Sequence, residues 1–409
     1  MTLLETYDLV ISTLSPVHVG CGEDYEPTNY VIDDETLYAF DPARLLAALT
    51  PAQRDELTRI LDDRDPMLAA QRFFYRHKDK AKTVATHTVP VAPAAARFYA
   101  KRVGQVANRE SDGGKVINKL EIARTAFNPM NGLPILPGSS LKGAIRTAVL
   151  EALRQERNQR FPLSDQDAAR FTTASRAAND MERQLMGGGF QEDPMRLVKV
   201  SDAEFQPGSY KARNGKGEEI SIERKARSVL FQVKRKKRPN QFESRASSER
   251  LEHLVECVPA GQARAFQASL GIERKARQGH GTPSLQPDWA MLAKACNAFY
   301  LARLEDELKI IEENKFASES WLKNARGRLA PDGIWGKAMA QGRGFLLRVG
   351  RHSGAESVTV DAPRKIKILG AKGQPPSWKD HATILWLAAN EPRMATGMWP
   401  FGWVFVQIR

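Results

Sequence analysis

The chain reads as an α+β protein, and three observations carry that reading. Short runs of β-branched and apolar residues bounded by Pro, Gly or Asp occur near both ends of its 409 residues. Between them apolar residues recur at three- and four-residue spacing, the period of a helix buried on one side. Hydrophobic residues make up 42% of the chain, enough for two or three cores rather than one.

Tyr7 to Leu14 reads as the first strand, broken at Ser15-Pro16. Val17-His18-Val19-Gly20 then leads into a Gly-Cys-Gly loop ending in the acidic pair Glu23-Asp24. Tyr30-Val31-Ile32 and the run from Thr36 to Phe40 form a hairpin turning at Asp33-Asp34. Asp41 with Pro42 opens a helix that ends near Leu49. The pattern is helical from Pro51 to Phe74 and extended from Thr83 to Ala96, with prolines at 90 and 93. Asn108 to Lys119 is polar and contains Gly113-Gly114, so it reads as a mobile loop.

The most informative stretch runs from Leu136 to Arg146. Pro137-Gly138 turns into Ser139-Ser140, and Leu141, Ile145, Val149 and Ala152 then share one helical face. Ser139 or Ser140 is the expected N-cap, and Lys142 and Arg146 lie four apart on the same side. Free N–H groups and the positive end of the dipole make a helix start attractive to anions. Two small hydroxyls, a glycine that permits close approach and two cations make a phosphate-backbone cradle there.

A polar helical region continues to about Leu185, and Gly187-Gly188-Gly189 breaks it. Arg196 to Phe205 is the next strand. Between Lys211 and Arg238 lie eleven Lys or Arg against three Glu, finishing in Lys234-Arg235-Lys236-Lys237-Arg238. That composition fits either a solvated loop or a flexible arm on phosphates. The hexapeptide Ile-Glu-Arg-Lys-Ala-Arg occurs at 222–227 and again at 272–277, too short a match for a repeat protein. Glu252 to Val258 is a further strand, and Pro259-Ala260-Gly261 a turn.

A polar, Gly-containing linker at 278–287 divides the chain into 1–278 and 279–409. Pro287-Asp288 opens a long helix that buries Leu292, Cys296, Phe299, Leu304, Leu308 and Ile311. After Pro331-Asp332-Gly333 the β pattern returns. Phe345 to Val349 is a strand entering Gly350-Arg351-His352-Ser353-Gly354, and Trp403 to Ile408 is the last strand. This is a second α+β unit.

Charge narrows the partner. There are 61 Lys and Arg against 48 acids, a net +13, which favours a polyanion. Cys21, Cys257 and Cys296 are far apart with no Cys-x-x-Cys pair, so a disulfide framework or zinc site is not expected. The N-terminus lacks the basic and apolar pattern of an export signal, and no apolar run reaches the ~20 residues of a membrane span. A cytoplasmic protein is expected.

Four segments together resemble the RAMP superfamily of CRISPR-associated RNA-binding proteins. They are Leu14-Ser15-Pro16-Val17-His18-Val19-Gly20, Pro137-Gly138-Ser139-Ser140-Leu141-Lys142-Gly143 with Arg146, Arg348-Val349-Gly350-Arg351-His352-Ser353-Gly354, and Pro400-Phe401-Gly402-Trp403. Within that superfamily the order and length are most similar to the subunit that caps the 3′ end of the guide RNA in type III-A (Csm) effector complexes. The resemblance implies two ferredoxin-like (RRM-like) modules with helical insertions. It implies CRISPR RNA and the repeating RAMP backbone subunits as partners; docking of a host nuclease for guide maturation is compatible with that reading and leaves no signal in the sequence. His18, Gly138, Ser139, Ser140, Lys142, Arg146, Arg348, Arg351, His352 and Ser353 would touch RNA. Lys234, Arg235 and Lys236 of the basic segment join them on charge. The RRM aromatic signature is missing, so backbone and shape recognition are expected rather than sequence readout.

The expected role is non-catalytic, with no cofactor or metal. The competing function is a metal-independent endoribonuclease processing precursor CRISPR RNA. His18, or His352 beside Arg351, would be its base. Glu23 and Asp24 are the acids a weak target-cleaving loop would use. Gly138 to Gly143 lacks the Gly-Lys-Ser/Thr element of a Walker loop, and neither Gly-x-Ser-x-Gly nor a His/Glu metal spacing stands out.

Overall fold

The computed structural model describes residues 4–63, 66–109, 115–117, 119–157, 174–213, 217–237, 253–274, 283, 285–361, 364, 366–368 and 375–409. It is an α+β structure organised by two large sheets. The first is seven-stranded, and its path runs Gly344–Arg348, Trp403–Ile408, Leu4–Thr13, Phe266–Glu273, Ala203–Phe205, Ile135–Leu136. Val198–Val200 also pairs with Phe266–Glu273, and every pairing in this sheet is antiparallel. The second is six-stranded: Gly20–Tyr25, Ile122–Thr125, His253–Cys257, Ser228–Lys236, Ile384–Ala389, Trp399–Pro400. Its one parallel pair is His253–Cys257 with Ile122–Thr125.

Both halves of the chain build both sheets. Trp403–Ile408 flanks Leu4–Thr13, and Ile384–Ala389 flanks Ser228–Lys236. The helices Gly138–Glu156 and Trp289–Glu313 meet each other beside the first sheet, where Tyr300 donates its hydroxyl to the carbonyl of Ala144 at 3.0 Å. The longer helix starts as its sequence requires. Asp288 caps it by accepting from the Met291 N–H at 2.7 Å, and the six expected apolar positions are buried. A satellite unit of three strands, Tyr30–Asp33, Thr36–Phe40 and Ala85–Pro90, carries its own small core around Phe40, Leu57, Phe73 and Phe74.

Several expectations are corrected. The Gly-Cys-Gly loop is the strand Gly20–Tyr25, paired along Ile122–Thr125 through an irregular register. The extended reading ends at Pro90, because Pro93 stands at the first turn of the helix Pro93–Arg102, where its missing N–H costs nothing. The stretch from Arg196 to Phe205 is split into a short 3-10 turn and two strands. Within Asn108–Lys119, Lys115–Ile117 pairs with Val106–Arg109, and 110–114 and 118 lie outside the described residues.

Most of the described part of the basic segment is regular structure rather than a loop. Ser209–Arg213 and Glu219–Glu223 form a hairpin, and Ser228–Lys236 is an inner strand of the second sheet. Val229, Phe231 and Val233 alternate into the core along that strand, which outweighs the charge at its end. Arg238 lies outside the described residues, as do 275–277 of the second hexapeptide copy.

Candidate nucleic-acid interface

The chain passes between the two sheets several times, and two of the crossings are made by Gly-containing segments that meet each other. Leu14 to Val19 links the first strand of each sheet, and Phe401-Gly402 links their last. Leu14 N–H donates to the Trp403 carbonyl at 2.9 Å, and Gly402 N–H to that of Pro16 at 2.8 Å. Val349 N–H donates to the Gly402 carbonyl and Arg351 N–H to that of His18, each at 2.9 Å. Glycine is required at two of these contacts. Gly350 has φ +84° and a Cβ there would stand 2.3 Å from the His18 carbonyl oxygen. Gly402, at φ +88°, would meet the Val349 oxygen at 2.3 Å.

This knot presents one row to solvent. The Arg351 side chain is exposed and lies across Gly20, and His352 follows at φ +68°. The His352 ring is 5.2 Å from Trp386 and 5.0 Å from Phe401. Trp386 in turn carries the Lys234 ammonium 4.6 Å from its ring centroid. Burial, then His18 and the arginines Arg351 and Arg348, push His352 down to about 4. Arg235 and Lys236 continue the strand beyond Lys234, and Arg235 donates to the carbonyl of Met394 at 2.9 Å.

Other residues expected at RNA lie inside. His18 is fully buried with Nδ1 2.7 Å from the Glu256 carbonyl. Burial holds it below its usual value, against the opposing pull of that hydrogen bond. Arg348, 5% exposed, forms a 2.8 Å ion pair with Glu307 and donates Nε–H to the Phe401 carbonyl. Glu307 also accepts the Trp403 indole N–H at 2.5 Å, so this pair locks the long helix to the last strand. Ser353 donates to the Gly350 carbonyl at 2.8 Å, closing its own loop.

The Pro-Gly-Ser-Ser helix lies apart from the knot, beside the first sheet. It begins at Gly138 with Pro137 in the cap position and no side-chain cap, so neither serine caps it. The Gly138 N–H is already taken by the Asp202 carboxylate at 2.7 Å. Arg146 is held by Asp193 at 2.6 Å and Glu182 at 2.9 Å. Ser139 and Gly143 are exposed and Ser140 is half-buried. Burial, then Lys199 and Arg146, hold Lys142 below the usual lysine range, with Asp193 opposing. A half-buried ammonium among cations is a position that gains from an incoming anion.

The sequence reading missed a buried polar network. Glu256 is wholly buried and accepts the Tyr25 hydroxyl at 2.8 Å and the Thr125 N–H at 3.0 Å, with Arg227 at 3.4 Å. Tyr25 also meets His87 Nε2 at 2.9 Å, and burial, then Arg227 and Arg124, push His87 down to about 4. The one signal was a glutamate inside the apolar run Leu254-Val255-Glu256-Cys257-Val258. Glu23, named as an acid for cleavage, pairs with Arg124 at 2.8 Å.

Residues 10–276 match the family model of the RAMP superfamily. The chain belongs to the RAMP superfamily. Among RAMP relatives it is 22% identical over 261 residues to the CRISPR system Cms protein Csm5 of Streptococcus thermophilus, covering 61% of this chain and 67% of that one. It is 26% identical over 163 residues to Csm5 of Mycobacterium tuberculosis, a match spanning 38% of this chain and 41% of the relative. Among solved structures it is similar to a chain of the Csm–crRNA–target RNA ternary complex of a type III-A CRISPR-Cas system. That superposition has TM-score 0.58 at 18% identity and covers 98% of this chain and 100% of the other. Against the crystal structure of T. onnurineus Csm5 the TM-score is 0.52 at 17% identity, covering 97% and 99%. Among the described residues no cluster of His, Cys, Asp and Glu is placed to hold a metal, and no helix is long and apolar enough to cross a membrane.

Proposed function

We propose that this protein is a non-catalytic RNA-binding subunit of a type III-A CRISPR effector complex. In this reading it holds the 3′ portion of the guide RNA, caps the row of RAMP backbone subunits and supports guide maturation. The carrying observation is the row Lys234–Trp386–His352–Arg351 at the sheet crossing, with exposed cations at its ends and half-buried rings between them. Two cations flank two flat side chains, a surface suited to a phosphate backbone with bases resting on rings. The similarity to a chain in an RNA-bound Csm complex supports the same reading, as does the net charge of +13.

The candidate RNA contacts divide by role. Arg351, His352 and Lys234 touch RNA at the crossing, and Lys142, Ser139 and Ser140 form a second contact on the helix. Gly138, His18, Arg146, Arg348 and Ser353 position those contacts. Two ferredoxin-like modules, with strands exchanged between the halves 1–278 and 279–409, are the architecture this reading takes. A non-catalytic role is supported by the histidines themselves. Buried His18 spends Nδ1 on a backbone carbonyl, and His352, pushed down to about 4 by burial and the nearby cations, is a weak base with little pull on a 2′-hydroxyl proton.

Titrating the full chain with single-stranded RNA across salt tests it. Affinity should fall log-linearly with salt, at ~0.7 in slope per phosphate contact. A salt-independent or undetectable interaction would refute RNA binding.

A further inference from the structure

A cleft of ≈ 940 Å³ opens between the strand Ala85–Pro90, the loop 126–133 and the segment 223–228. It reaches Pro16 of the crossing and uses none of the four residues of the row. Its lining holds Arg124, Arg224, Lys225 and Arg227 against the single acid Glu223. Three of those four cations come from the first copy of the repeated hexapeptide.

Two of the guanidiniums keep unmet donors in the dry part of the wall. Arg227 is 7% exposed and its Nη2 has no acceptor, although Nη1 faces Glu256 at 3.4 Å. Arg124 Nε is likewise buried without an acceptor, while its Nη1 reaches Glu23 at 2.8 Å. A charged N–H shut away from water is destabilising until an oxygen is brought to it, and an entering anion supplies one. Glu256 leaves Arg227 only partly compensated, because its carboxylate also serves Tyr25 and Thr125.

The same cleft has an apolar lip. Phe127 lies 4.0 Å from the Arg124 guanidinium carbon and 6.0 Å from that of Arg227. Pro129 and Met130 extend it, and Met130 is 90% exposed, open to whatever enters the cleft. Phosphate-seeking donors and an aromatic ring therefore stand in contact along one wall of the cleft. We infer that this cleft takes one nucleotide of single-stranded RNA, its phosphate on Arg124 and Arg227 and its base against Phe127 and Met130. An acidic peptide or free phosphate would meet the donors and leave the lip unused. The inference rests on the RNA-binding reading above and adds a site to it.

Full-length Phe127→Ala and Met130→Ala proteins, titrated with labelled oligouridylate, test it. Met130 is so exposed that its truncation leaves folding intact, and thermal midpoints check Phe127→Ala. The expected result is an affinity loss of about tenfold in Phe127→Ala and a smaller one in Met130→Ala, because base stacking is lost. Lys225→Ala should lower the log–log salt slope by ~0.7. Thiouridine cross-links should map to residues between Arg124 and Met130. Parental affinity in both lip variants, while the Lys234→Ala/Arg351→Ala protein loses binding, would overturn the cleft and leave the RNA reading standing. Displacement of RNA by inorganic phosphate with the lip variants unchanged would mean a phosphate site only. No binding by the parent would overturn both.

Discussion

The Lys234 ammonium lies 4.6 Å from the ring of Trp386, its register partner on the neighbouring strand. The pair places a cation and an aromatic surface together at the edge of the crossing, next to His352 and Arg351. Such a contact is worth ~0.5–1 kcal/mol at an exposed site, too little to explain the fold and enough to orient the lysine. Its use is therefore in what it presents.

Replacing Lys234 and Arg351 together with alanine should weaken RNA binding and lower the salt slope by ~1.4, two single-strand contacts at ~0.7 each. The urea midpoint should stay at the parental value, since neither side chain is buried. Fluorescence anisotropy across salt reads the first, and an unchanged slope would remove this row from the interface.

Gly138 and Gly143 separate packing from function on one helix. A Cβ at Gly138 would stand 2.3 Å from the Val200 carbonyl oxygen, so Gly138→Ala should destabilise by ~1–3 kcal/mol. A Cβ at Gly143 meets nothing within 4 Å, so Gly143→Ala should stabilise the helix by ~0.5–1 kcal/mol. RNA affinity of Gly143→Ala should nevertheless fall, because the methyl occupies the face offered beside Lys142. A more stable Gly143→Ala with parental affinity would exclude this helix from RNA.

The Arg348–Glu307 ion pair is a structural joint. Glu307→Gln leaves a buried guanidinium without its counter-charge, and the expected loss is ~3–5 kcal/mol by chemical denaturation. A loss under ~1 kcal/mol would contradict a structural joint at this pair.

Stability should fall on acidification below neutrality. His87 and His352 bind a proton only near pH 4 when folded, whereas the unfolded chain takes it near the ordinary 6.5. Between those values the unfolded state holds more protons. Their contribution is thus complete above pH 6.5 and lost as pH falls toward 4. The urea midpoint should be lower at pH 5 than at pH 7.5, and less so in His352→Asn, a residue that tolerates the φ of +68° there. Equal midpoints in the parent at both pH values would contradict the burial of these rings.

Much of this was legible in the residues. Leu292, Cys296, Phe299, Leu304, Leu308 and Ile311 announced the long helix, because one face of it is buried along its length. The Gly-rich segments announced themselves as special turns, and three of the four meet. Charge misled where it outvoted alternation. Val229, Phe231 and Val233 mark an inner strand, yet the lysines and arginines around them read as a loop. Helix-start chemistry misled at Gly138, where the anion is the protein's own Asp202. The Glu256 network was hidden because Tyr25, Thr125 and Arg227 are brought to it only by the sheet.

The central claim is tested most directly by purifying the tagged protein from its host, sequencing the RNA that accompanies it and identifying the proteins. The account predicts guide-length CRISPR RNA together with a set of other RAMP subunits. Recovery of the chain alone, or with unrelated RNA, would contradict it.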